Sequence, residues 1–160
     1  MNRASKASQN VARAIADGAE GRLLASVDVE ANPERLFRAL TSPEITNWWV
    51  RPGVFDTREW EGDLRVNGRW RAAGITRGQP YVQEGEFLTI EPPRRLVHTW
   101  ESAGTADAPS KVTYRLETTE GGTRLTLSHE GFAARETCEA FAIGWETSFA
   151  RLAEILASQR

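Results

Sequence analysis

The chain has one cysteine, Cys138, so no internal disulfide can form, and the lone thiol favours a cytoplasmic protein. Its two histidines, His98 and His129, lie far from each other and from Cys138, which is not a metal-ligand spacing. No stretch approaches the roughly 20 apolar residues of a membrane span. Met1 to Asn10 is polar and lacks the apolar core of a secretory signal. An excess of one charge is also missing. With 20 basic against 22 acidic residues, nothing points to a nucleic-acid partner or membrane insertion. There is no phosphate-cradling glycine loop and no serine in a nucleophile-elbow pattern. Glu59, Glu61 and Asp63 cluster near a hairpin, where acidic residues read as solvated. No metal, no cofactor and no catalytic set is therefore expected.

The 160 residues suit one domain with a real core. Residues 1–20 read as an extension, either mobile or a short helix carrying Val11, Ala12, Ile15 and Ala16 and broken at Asp17-Gly18. Residues 21–160 form the domain. A strand starts at Arg22, with Leu23, Ala25, Val27 and Val29 alternating against Leu24, Ser26, Asp28 and Glu30. Asn32-Pro33-Glu34 then starts one helix, and Ser42-Pro43-Glu44 starts a second that carries Ile45, Trp48 and Trp49.

Strands follow at 55–61, 69–73, 81–91, 95–101, 111–119 and 123–130, with a turn at Asn67-Gly68 and a loop over 102–109. The last element is the clearest helix. Cys138, Phe141, Ala142, Trp145, Phe149, Leu152 and Leu156 recur at spacings of three and four, on one face. Gly144 interrupts this helix, which costs about 1 kcal/mol relative to alanine and implies a close approach to the helix backbone there.

Alternation in the last three strands puts Leu96, His98, Trp100, Val112, Tyr114, Leu116, Leu125, Leu127 and His129 on one dry face. A two-residue Gly121-Gly122 turn pairs Tyr114 with His129, and a loop centred near Ala106 pairs His98 with Tyr114. His98, Tyr114 and His129 then form a row, either as a satisfied core network or as the orienting polar groups of a cavity. The residues selected as cavity lining are Trp48, Trp49, Trp70, His98, Trp100, Tyr114, His129, Trp145 and Phe149.

The segments NPERLFRALTSPEITNWW, GDLRVNGRW, EGEFLTIEPPRRLVHTW, GGTRLTLSHEGF and GWETSFARLAEIL, in this order, resemble the START/Bet v 1-like superfamily. Within it they are similar to bacterial relatives of the C-terminal domain of the activator of Hsp90 ATPase. The resemblance runs from Leu23 to about Leu156. It implies an α+β helix-grip fold, a curved antiparallel sheet wrapped around a long C-terminal helix, with two short helices after the first strand. It also implies a cavity for a hydrophobic or aromatic small molecule. Relatives include lipid carriers, cyclases and a co-chaperone. A chaperone-associated interaction module, and a cyclase or hydrolase using His98 or His129, therefore stand as alternatives. A homodimer involving the tail stays open.

Overall fold

The computed structural model describes residues 11–102 and 108–159. Nine strands form one antiparallel sheet: β1 (Arg13–Asp17), β2 (Arg22–Val29), β3 (Val50–Arg51), β4 (Phe55–Gly62), β5 (Arg69–Thr76), β6 (Gln79–Glu91), β7 (Arg95–Ser102), β8 (Ser110–Thr119) and β9 (Gly122–Glu130). Their spatial order is β1-β2-β9-β8-β7-β6-β5-β4-β3. Two short helices, α1 (Pro33–Leu40) and α2 (Ile45–Trp48), follow β2, and the long α3 (Arg135–Ser158) ends the fold. α3 touches β1 and β2 at one edge of the sheet and β3 at the other. A single helix can reach both edges of nine strands only if the sheet curls around it.

The local signals act as their chemistry requires. The Asn32 side chain accepts from the Arg35 amide at 2.8 Å, capping α1 with Pro33 in its first turn. The second start signal forms a turn, in which the Ile45 amide reaches the Ser42 carbonyl at 3.1 Å and α2 begins only at Ile45. Leu36, Phe37, Leu40, Ile45 and Trp48 are buried, with α1 against β8 and β9 and α2 against α3 and β4.

Three expectations need correction. The helix expected over Val11 to Ala16 is a strand: β1 pairs with β2 from Arg13↔Ser26 to Asp17↔Arg22, so the sheet takes up chain before residue 21. Ala12, Ala14 and Ala16 turn inward and Ile15 outward, a period of two that the same residues satisfy as readily as a helical one. The free edge of β1 is closed by α3, whose Glu146 carboxylate accepts from the Ala14 amide at 3.0 Å. Nothing is described for residues 1–10, where the rest of the expected extension lies.

The second correction concerns the last hairpin, which turns on Glu120-Gly121, with Thr119 opposite Gly122. Gly122 is needed inside the strand, because a Cβ there would lie 2.0 Å from the Val29 carbonyl oxygen. Tyr114 therefore faces Leu127, and His129 faces Val112. The third is the β7–β8 pairing, which puts His98 opposite Val112 and Tyr114 opposite Leu96. Both slips are of two residues, so every side chain keeps its face. The loop centre near Ala106 lies outside the described residues. The row across the sheet is thus Phe87, His98, Val112, His129 and Leu23, with Tyr114 in the next row.

Candidate functional site

A partly open cavity of about 440 Å³ lies between α3 and the β3–β7 half of the sheet. From α3 come Ala140, Phe141, Gly144, Trp145 and Ser148, whose spacing puts them along one helical face. Trp49 follows α2, and Trp100 and Ser102 come from the end of β7. The remaining wall belongs to β3, β4 and the β5–β6 hairpin.

That hairpin is shaped for the site. Thr57, Gly74 and Tyr81 are cross-strand partners in one row over β4, β5 and β6. Because Gly74 carries no side chain, Tyr81 reaches across β5 and its hydroxyl hydrogen-bonds the Thr57 hydroxyl. Gly74 is also held there sterically, since a Cβ would lie 2.1 Å from the Asp56 carbonyl oxygen. A bulge at Arg58 follows, and it lets both Thr57 and Trp60 point inward. Burial, moderated by the Thr57 hydrogen bond, raises the Tyr81 pKa above the ordinary phenol value, so this hydroxyl stays protonated.

Of the residues selected from the sequence, Trp49, Trp100 and Trp145 lie on the cavity wall. Their rings interlock: Trp49 is 5.0 Å from Trp100 and 6.1 Å from Trp145, and Trp100 is 5.6 Å from Trp145. Trp48, Trp70, His98, Tyr114, His129 and Phe149 lie behind that wall, all buried in the aromatic core. The two indole N–H groups among them are satisfied by backbone carbonyls. Trp48 Nε1 donates to the Ala39 carbonyl at 3.0 Å, and Trp70 Nε1 to the Thr99 carbonyl at 3.1 Å.

The two imidazoles are fixed by their neighbours. Trp145 Nε1 donates to His129 Nδ1 at 3.1 Å, so Nδ1 carries a lone pair and the proton sits on Nε2, 2.7 Å from Ser110 Oγ. Protonating Nδ1 would set one N–H against another. Burial, with the neighbouring His98 adding to it, lowers the His129 pKa to about 3. His98 Nδ1 donates to the Thr99 carbonyl at 2.9 Å, and burial lowers its pKa to about 4. Both rings are neutral near pH 7. Burial also pushes Tyr114 well above its ordinary value.

Sequence reasoning missed Arg51, Phe55, Thr57, Arg77 and Tyr81. They sit where it followed no alternation, on β3, β4 and the β5–β6 hairpin. Gly144 also lies on the wall, but the close approach expected at its backbone is absent: a Cβ there would make only ordinary contact with Phe55, at 3.6 Å. Two buried indole N–H groups, Trp49 Nε1 and Trp100 Nε1, lack an acceptor among the described residues. Each costs about 1–3 kcal/mol, and both belong to the cavity wall. Among the described residues no cluster of His, Cys, Asp and Glu could hold a metal ion, and no helix is long and apolar enough to cross a membrane.

A curled antiparallel sheet gripping a long C-terminal helix, with two short helices after β2, defines the helix-grip class of the START/Bet v 1-like superfamily. Residues 30–157 match the sequence pattern of activator of Hsp90 ATPase homolog 1-like proteins, and the chain belongs to that family. A search of curated proteins found no match. Among solved structures, a protein from Rhodobacter sphaeroides is similar at 27% identity and a TM-score of 0.76, over 91% of this chain and 99% of that one. The AHSA1 protein from Silicibacter pomeroyi is similar at 26% identity and a TM-score of 0.72, over 87% and 99%. A protein from Mesorhizobium loti matches at 25% identity and a TM-score of 0.70, over 87% and 98%.

Proposed function

We propose that the protein binds a hydrophobic or aromatic small molecule in the cavity between α3 and the β3–β7 half of the sheet, acting in the cytoplasm. The observation that carries this reading is the cavity itself. Its volume of about 440 Å³ falls within the range of small-molecule sites, and Trp49, Phe55, Trp100, Phe141 and Trp145 give it aromatic walls. Aromatic rings supply large apolar contact with little side-chain entropy to lose. A glycine on α3 keeps the opposite wall open where a larger residue would close it. A cyclase or hydrolase working through His98 or His129 would need an imidazole on the wall, and both rings lie behind it.

Gly144 provides the test. Replacing it with alanine adds a Cβ in ordinary contact with Phe55 and is expected to stabilise α3 by about 1 kcal/mol, visible as a raised melting temperature. Gly144→Leu is expected to fill the cavity while leaving the fold intact. A native mass spectrum of the protein purified from cells should show a bound mass of a few hundred daltons, released on denaturation and absent from the leucine variant. A bare polypeptide in both proteins, together with no heat of binding on titration with small aromatic compounds, would overturn the proposal.

A further inference from the structure

We propose that the cavity selects an aromatic carboxylate, with the ring against Trp49, Trp100 and Trp145 and the anionic end held by Arg51 and Arg77. This deepens the small-molecule reading above and rests on it. The cavity wall holds two arginines and no aspartate or glutamate. Arg35, Arg38, Arg58, Arg65, Arg69, Arg95 and Arg124 each have an acidic partner within 4 Å. Arg51 and Arg77 have no such partner among the described residues; the same holds for Arg13, Arg22, Arg71, Arg94, Arg115, Arg135 and Arg151, but these lie off the cavity wall. Asp56, whose charge adds to the raised Tyr81 pKa, is already engaged by Arg58 at 3.2 Å.

The register brings the two guanidinium groups within reach of one anion. Arg51 pairs with Phe55, and Phe55 pairs with Thr76, so these three form one row over β3, β4 and β5. Adjacent strands are about 4.8 Å apart, which places Arg51 roughly 10 Å from Thr76, the residue before Arg77. Two arginine side chains can close such a gap onto a single carboxylate, for which their planar N–H forks are suited.

Arg77 is also held in a conformation its residue type disfavours. Its φ is +49° and that of Gly78 is +81°, a tight turn in which asparagine or glycine usually takes the first position. The turn is tied down by the Arg77 amide donating to the Val54 carbonyl at 2.8 Å, and by Thr76 Oγ1 donating to the same oxygen at 3.3 Å. An arginine fixed at this backbone cost, on the wall of an aromatic cavity, points to a task for its side chain. The Tyr81 and Thr57 hydroxyls add neutral hydrogen-bonding capacity to the same half of the cavity.

The test compares naphthoate with naphthamide, which match in shape and differ in charge, by isothermal titration calorimetry at neutral pH. The wild-type protein is expected to bind naphthoate at least about tenfold more tightly, as charge-assisted hydrogen bonds allow. Arg51→Gln and Arg77→Gln should each shrink that ratio, losing more affinity for naphthoate than for naphthamide, with the melting temperature showing that the fold is kept. Equal affinities in the wild type would overturn the carboxylate assignment and leave the cavity reading standing. A ratio that survives in both variants would overturn the assignment to these arginines. Binding of neither compound would overturn this inference together with the reading it rests on.

Discussion

Lowering the pH from about 7 to about 5 is expected to remove roughly 4 kcal/mol of folding stability, well before most carboxylates titrate. The cause is the buried pair His98 and His129, whose pKa values are lowered to about 4 and about 3. In the unfolded chain both rings take up protons as the pH falls through about 6.5. In the folded chain they do not, because both are buried and Trp145 presents an N–H to the one free lone pair of His129. The unfolded state then binds more protons than the folded state, so stability falls as pH falls. The stability is fully present above about 6.5 and is lost progressively down to the folded values, at about 1.4 kcal/mol per pH unit for each ring. Urea unfolding at pH 7, 6 and 5 should show the midpoint dropping at each step. The double variant His98→Phe with His129→Gln should be less stable at neutral pH but should lose most of this slope. An unchanged slope in the variant would assign the acid sensitivity to other groups.

The same two histidines show how far the sequence can be read. Alternation with a period of two placed His98, Tyr114 and His129 on the dry face, and slips of two residues in both hairpins could not move them off it. The β8–β9 slip came from chemistry that strand patterning does not carry. Gly122 looks like half of a turn, and only the approach of the Val29 carbonyl makes it a strand residue. The β1 strand was hidden because Val11, Ala12, Ile15 and Ala16 fit either period.

The site was harder to read than the fold. Aromatic residue type does not distinguish a cavity wall from the layer behind it. Trp100 lies on the wall, while Trp70, whose ring centroid is 5.1 Å away, lies behind it. What separates them is that Trp70 lies over Gly85, its cross-strand partner, and donates to the Thr99 carbonyl. Arg51, Thr57, Arg77 and Tyr81 reach the cavity through a two-residue strand, a bulge and a tight turn, none of which has a periodic signature. Gly144 stood out because a glycine inside an otherwise regular amphipathic helix is a local inconsistency, yet the close approach it suggested is absent and the residue borders the cavity instead.

Trp145 joins the core to the cavity, and its removal is expected to have the largest effect of any single substitution considered. It lies within about 6 Å, ring to ring, of Trp49, Trp100, Tyr114, His129 and Phe149. Truncating a buried tryptophan to alanine costs about 3–5 kcal/mol through lost transfer energy and the void left behind. Loss of the N–H donor to His129 Nδ1 adds roughly 1–3 kcal/mol. The sum is comparable to the whole stability of an ordinary domain, about 5–15 kcal/mol, so Trp145→Ala should be largely unfolded at modest urea concentrations. Trp145→Phe separates the two contributions. It keeps a ring among the same neighbours and removes the donor, so it should fold at a cost of about 1–3 kcal/mol. In that variant His129 Nδ1 is free to accept a proton without meeting another N–H. Its pKa should therefore rise toward the ordinary value, and the loss of stability on acidification should become shallower than in the wild type. NMR titration of the His129 ring protons checks this directly. A ring that stays neutral down to about pH 3 in Trp145→Phe would show that burial alone, and not the indole N–H, keeps the proton off.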